Sequence, residues 1–202
     1  AELEESNNAP DHLVAEDILD AVELALLELI KREFPDDLML AEKLKSRKQL
    51  NKICEDLKQQ GKRVGFANGC FDLIHGGHIS FLENSRAAGD VLILGLNSNT
   101  SIKRLKGQER PVLEEPARIQ LLSALKAVDY LTIFYEDSAD ETLKLIRPTY
   151  HAKGTDYRSD NVPELITTRE LGIETVIAGA PKENSTRDIL DVIIERSQSG
   201  LL

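Results

Sequence analysis

The stretch from Val64 to Asp90, VGFANGCFDLIHGGHISFLENSRAAGD, constrains this 202-residue chain more than any other. It begins as a short apolar run, Val64 to Ala67, and breaks into a turn at Asn68 and Gly69. Cys70, Phe71 and Asp72 follow, then His75-Gly76-Gly77-His78, and Ile79, Leu82, Ser85 and Arg86 repeat at helical spacing. The pattern predicts a buried strand that runs through a glycine-bearing loop into a helix with two imidazoles at its entrance. In an α/β protein that junction is where an anion binds, because the first-turn N–H groups lack helical partners and the macrodipole favours negative charge.

Beyond Gly61 strands and helices alternate. Val91 to Leu96 is a continuous apolar run, as expected of a strand covered on both faces. Tyr130 to Phe134 is a second, and Tyr150 to Lys153 and Thr175 to Ala178 are weaker candidates. Helical patterns fall at Pro116 to Lys126, Ala139 to Ile146, Pro163 to Leu171 and Thr186 to Arg196. This order predicts an α/β fold, a doubly wound parallel sheet with its ligands at the carboxyl ends of the strands.

The first 60 residues read differently. After a polar start through Pro10, the spacing predicts a helix from Asp11 to Phe34 with a broad apolar face, stopped by Pro35. A Ser46-x-x-Gln49 capping box opens a further helix that Gly61 ends. These helices form an N-terminal helical extension over residues 1–60, ahead of a main domain at 61–202. They either pack on the main domain or make a homodimer interface.

Charge narrows the partners. Residues 1–60 hold 15 acids and 8 bases, net −7 of the chain's −10. An acidic front end argues against a nucleic-acid arm or an anionic-membrane anchor. Against it stands Lys103 to Arg110, KRLKGQER, net +3, expected as a mobile basic loop. No apolar run approaches the roughly 20 residues of a membrane span and no signal peptide is apparent, so a cytoplasmic location is expected. Cys54 and Cys70 lack metal-pair or framework spacing and read as reduced thiols.

Of the four histidines, His12 reads as a surface residue, and His151, in a candidate strand, is as suited to a structural hydrogen bond as to a ligand. His75 and His78 are separated by two glycines, which let a phosphate approach the backbone while each imidazole supplies a donor. Asp72, His75 and His78 could instead offer two imidazoles and a carboxylate to a metal. Zinc or iron would need further ligands or open positions, and no cysteine or second histidine motif offers them, so no protein-bound metal is expected.

The blocks NGCFDLIHGGHISFLENSRAAGD, LNSNTSIKRLKGQERPVLEEPARIQLLSALKAVDYLTIF and AKGTDY resemble the cytidylyltransferase-like nucleotidyltransferases. Within them the likeness is to the sugar-phosphate branch, the heptose 1-phosphate adenylyltransferase domain of bifunctional ADP-heptose synthases. It covers roughly Gly61 to Arg196, and the 60 residues before it are too few for the kinase domain of such synthases. The resemblance implies a Rossmann-like sheet of about five parallel strands and nucleotidyl transfer from a nucleoside triphosphate, with ATP expected, to a sugar phosphate. By resemblance His75, His78 and Lys106 are the catalytic residues that hold phosphate charge. Cys70, Phe71, Asp72, Ser185 and Thr186 fall at nucleotide-binding positions, and Arg104 and Arg118 at candidate positions for the substrate phosphate. Asn184 and Arg187 depart from the pattern around the Ser-Thr pair, which leaves the base open among ATP, CTP and GTP.

The expected chemistry follows from the substrates. A phosphate monoester is largely dianionic near neutral pH and attacks the α-phosphorus without a general base. The protein supplies in-line positioning and charge stabilisation, and Mg²⁺ is expected to arrive with the triphosphate. Two alternatives stand beside this reading: a cytidylyl- or guanylyltransferase acting on glycerol phosphate or another small phosphate, and a non-catalytic nucleotide-binding module. A homodimer is expected from the first helix.

Overall fold

The computed structural model describes residues 11–158, 160–180 and 185–201, with side chains from Ile18 onward. The readings of His12 and Asn184 lie outside the described residues or side chains. The elements in chain order are α1 (Asp11–Glu33), α2 (Leu38–Lys43), α3 (Arg47–Gln59), β1 (Val64–Gly69), α4 (Gly76–Ala87), β2 (Val91–Asn97) and α5 (Asn99–Lys106). There follow α6 (Glu115–Ser123), β3 (Tyr130–Phe134), α7 (Asp140–Ile146), β4 (Tyr150–Gly154), α8 (Leu165–Glu170), β5 (Glu174–Ala178) and α9 (Thr186–Gln198).

Five strands, all parallel, make one sheet in the order β3-β2-β1-β4-β5. The fold is therefore α/β and Rossmann-like, as expected, and every strand anticipated from the apolar runs is present. Parallel pairing explains those runs, since helices cover both faces and both sets of alternating side chains are buried. Phe66, Ile93 and Phe134 face one core with Leu50 and Cys54 of α3 and Leu143 and Ile146 of α7. Ala67, Leu92, Leu94 and Leu131 face the other, with Leu82 of α4, Ile119 and Leu122 of α6, and Leu27, Leu40 and Leu44 from the first 60 residues.

Two short helices escaped the periodicity. α2 opens on Asp37, whose carboxylate accepts from Leu40 N at 2.9 Å, and it buries Leu40 completely. Its 6 residues are too few to display a helical repeat. α5 opens on Ser98, whose hydroxyl accepts from Ser101 N at 3.1 Å, and it buries Ile102. Lys103 to Lys106, expected in a loop, are thus the last turn of a helix, where basic side chains suit the negative end of the dipole.

α1 is tied to the domain by charge as well as by Leu27 and Ile30. Buried Glu23 accepts from the backbone N of Arg47 at 2.8 Å, and Arg47 reaches Glu136 at 2.8 Å beyond the end of β3. Its other face leaves Ile18, Val22 and Leu29 each more than half exposed. Among the described residues no helix is long and apolar enough to cross a membrane.

Candidate active site

The first wall of the site is the β1–α4 junction. After Gly69 the chain turns through Phe71, a non-glycine residue at φ 44°. A Cβ on Gly69 would lie 2.9 Å from the Phe71 ring, so glycine is what lets the turn fold back on itself. The buried Phe71 ring packs beside His78, centroids 5.1 Å apart. His75 is the N-cap residue of α4, and its ring stacks on that of His78 at 3.9 Å. Two imidazoles are thereby held together over the open N-terminal turn of the helix.

α4 is fixed from behind by Tyr150. Its hydroxyl, fully buried, donates to Ser85 O at 2.6 Å, and a Cβ on Gly65 would fall 2.2 Å from its ring. The glycine of β1 therefore admits the tyrosine that sets the position of the histidine helix. Burial pushes the Tyr150 hydroxyl pKa up, so it stays protonated as a donor.

The histidines face a cleft of about 1080 Å³ above the carboxyl ends of β1, β4 and β5. Cys70, Phe71, His75, His78, Lys106, Ser185 and Thr186 line it, which brings seven of the ten expected site residues to one space. Lys106 arrives from the end of α5. Ser185 is the N-cap of α9, its hydroxyl accepting from Asp188 N while the Asp188 carboxylate accepts from Ser185 N at 2.6 Å. A second helix N-terminus thus opens on the cleft.

Asp72, Arg104 and Arg118 stand elsewhere. Asp72 is buried and accepts from Val112 N at 2.8 Å and Leu113 N at 2.9 Å, and it pairs with Arg110 at 2.6 Å. It clamps the loop after α5 to the histidine turn, and its carboxylate is committed there rather than to a site with the imidazoles. Arg104 points outward to Asp137 at 2.7 Å and to the Tyr135 carbonyl. Arg118, expected near a substrate phosphate, is fully buried and donates to Cys70 O at 2.7 Å, Asn97 O at 3.0 Å, Leu113 O at 3.1 Å and Asn99 Oδ1 at 2.9 Å. Its donors are spent on the backbone that shapes the cleft, so the expectation of a phosphate contact is corrected to a structural one. Burial lowers its pKa, with Glu115 acting against that.

Among the cleft residues that the sequence did not single out are Arg110, Lys153 and Glu164. Arg110, part of the basic stretch, lines the cleft beside Lys106. Lys153 and Glu164, both nearly buried, pair at 2.8 Å on the opposite side. Lys153 ends a candidate strand inside the block AKGTDY, the one signal that could have found it. His151, two residues earlier, is fully buried, and its Nε2 lies 2.9 Å from Asn68 Oδ1. Burial holds its pKa well below the ordinary range and Lys153 adds to the effect, so the imidazole is neutral and structural. Among the described residues no group of three His, Cys, Asp or Glu side chains is arranged to hold a metal ion.

Comparison with known proteins bears on what this cleft does. A family model described as cytidylyltransferase-like matches residues 66–193. The bifunctional protein HldE of Pelobacter propionicus is 41% identical over 158 residues, 76% of this chain and 32% of the relative. That of a Bradyrhizobium strain is 44% identical over 134 residues, 66% of this chain and 27% of the relative. The chain spans about a third of the length of the curated relatives it matches. Among solved structures, the lipopolysaccharide core biosynthesis protein of Thermoplasma volcanium superposes with a TM-score of 0.52 at 26% identity, covering 60% of this chain and all of that one.

Proposed function

The chain belongs to the cytidylyltransferase-like family, and on that premise we propose that it is a nucleotidyltransferase that moves AMP from ATP to a sugar 1-phosphate, heptose 1-phosphate in particular. Pyrophosphate leaves and a nucleoside-diphosphate sugar forms. The observation that carries this reading is the stacked His75–His78 pair at the N-terminus of α4, opening on the same cleft as Lys106 and as Ser185 and Thr186 of a second helix N-terminus.

The sugar phosphate is its own nucleophile. One of its phosphate oxygens attacks the α-phosphorus, the bond to the β-phosphate oxygen breaks, and no proton has to be removed. What these residues supply is placement and compensation of charge. His75, His78 and the first-turn amides of α4 meet the negative charge that grows on the phosphates. Lys106 and Arg110 approach from the α5 side, Ser185 and Thr186 from the α9 side, so a triphosphate between them is held from three directions. Cys70 and Phe71 shape the turn beneath. Mg²⁺ is assigned to the triphosphate with which it enters, where it neutralises charge on the phosphates.

The choice of a sugar phosphate rests on the branch resemblance and on the lipopolysaccharide core biosynthesis protein among the structural relatives. Residues 61–202 carry the transfer, in the cytoplasm, and residues 1–60 are its extension. The exposed Ile18, Val22 and Leu29 of α1 are assigned to a homodimer interface; a monomeric mass that does not change with concentration would remove that assignment.

A substrate panel tests the activity. Pyrophosphate release from ATP is expected with heptose 1-phosphate and Mg²⁺, giving the ADP-sugar by mass. Release with glycerol phosphate alone would move the chain to the other acceptor class. No release from ATP, CTP or GTP with any phosphate would leave a binding module.

A further inference from the structure

The sheet order β3-β2-β1-β4-β5 makes the β1–β4 border the place where the chain's winding reverses. In open parallel sheets the ligand crevice lies beyond the carboxyl ends of the strands at that border. The last aligned pair across that border is Ala67 and Ala152, and one step past it stand Asn68, the penultimate residue of β1, and Lys153, the penultimate residue of β4.

Asn68 Oδ1 lies 3.1 Å from Lys153 Nζ and 2.9 Å from His151 Nε2. An ammonium only donates, so the amide atom that meets Lys153 is the oxygen, and the His151 nitrogen that meets the same oxygen must carry a proton. The amide has one orientation. Its oxygen is drawn into the seam between β1 and β4, and its nitrogen is turned away from the seam in a residue that lines the cleft. Among the described residues that nitrogen has no hydrogen-bond partner. Lys153 is held in turn by both oxygens of Glu164, at 2.9 and 2.8 Å, with Tyr157 flanking it 5.5 Å from the ring centre.

A buried ion pair is weak support for stability, since desolvation offsets most of the attraction. Here its geometry does something an apolar pair could not do. A cation on the amide oxygen polarises the group and strengthens its N–H as a donor, which suits an anionic acceptor. We infer that Asn68 is a substrate-contacting residue whose amide N–H donates to a phosphoryl oxygen at the reacting end of the substrates, with His151, Lys153 and Glu164 as the residues that position it. The inference rests on the transfer reaction proposed above. The phosphoryl oxygen belongs either to the α-phosphate of the triphosphate or to the acceptor phosphate.

The test uses the full chain with Asn68→Asp, Asn68→Ala and Asn68→Ser, each checked for an unchanged thermal unfolding midpoint. Asn68→Asp keeps the shape and replaces the donor with a carboxylate; it is expected to lower kcat/KM by about 10²-fold or more. Calorimetric titration with a non-hydrolysable ATP analogue and, separately, with the sugar phosphate identifies the oxygen. Weakening of the first alone assigns the α-phosphate, weakening of the second alone the acceptor, and a loss of turnover with both affinities intact assigns a contact formed at the transition state. Lys153→Met should act in the same direction, and combined with Asn68→Ala it should add little to the single change, because positioning and positioned residues share one effect. Wild-type kinetics and affinities in Asn68→Asp, or fully additive losses in the double variant, would overturn the inference. A wild-type protein with no turnover on any panel substrate would instead defeat the reaction, while the analogue titration would still read Asn68.

Discussion

Two helices present their N-termini to the cleft, α4 and α9, and they are built in opposite ways. α4 is pinned: Leu82 and Ser85 are buried, Tyr150 holds Ser85 from the sheet, and Phe71 braces His78. α9 has no buried residue among those described, and Val192, Ile193 and Ile194 are about half exposed. Its attachment is local, through the Ser185–Asp188 capping box and through the loop before it, where Ala180 N donates to Ser80 Oγ of α4 at 3.2 Å. The contrast matches a division of labour. A group that stabilises developing charge acts best when its position is fixed before reaction, because no reorganisation is then needed at the transition state. A group that closes over a large ligand can be held loosely and ordered by the ligand itself.

The largest effect should come from the pinned side. His78→Ala removes a preorganised donor and is expected to lower kcat by about 10²–10³-fold, with the unfolding midpoint nearly unchanged because α4 keeps Leu82, Ser85 and Tyr150. Steady-state kinetics and a thermal melt on the same sample check both halves. Loss of stability on the same scale as loss of rate would mean that the imidazole is part of the scaffold and that the contrast between the two helices has been misplaced.

Next comes the support behind it. Tyr150→Phe keeps the ring and deletes the hydroxyl, leaving the Ser85 carbonyl without that donor in a buried place. About 1–3 kcal/mol of stability should be lost, and with it part of the register of α4. At roughly 2–4 °C per kcal/mol for a chain of this size, the midpoint should fall visibly. If α4 depends on this anchor for catalysis, kcat should fall with KM for the triphosphate little altered. An equal midpoint in the two proteins would show that packing of the ring alone holds the helix.

What the sequence disclosed, and what it withheld, divides along lines of chain distance. The histidine turn was legible because strand, glycines, imidazoles and helix lie within 27 residues, from Val64 to Asp90, and each signal is local. The parallel sheet was legible because burial on both faces erases polar alternation. Arg118 misled because a basic residue early in a helix looks the same whether it turns to solvent or to the carbonyls of Cys70 and Asn97, and only the tertiary fold decides. Asn68 and Lys153 stand 85 residues apart and meet only through the pairing of β1 with β4. The basic stretch was seen as charge, while its helical half was hidden by the shortness of α5.

The smallest predicted effect tests the loose helix. Ser185→Ala removes the side chain that accepts from Asp188 N, a loss of about 1 kcal/mol for a cap of this kind. In a helix with a buried face that would appear in global unfolding; in α9 it should appear locally. Hydrogen exchange of the amides of α9 is expected to quicken about fivefold, the factor equivalent to that energy, while the midpoint of the whole protein stays put. The triphosphate KM should rise several-fold with kcat nearly intact, and a saturating ATP analogue should slow exchange in α9 of the wild-type protein more than in α4. A global drop in stability as large as that of Tyr150→Phe would show that α9 is packed into a larger unit, and the apolar side chains Val192, Ile193 and Ile194 would then be the surface to probe.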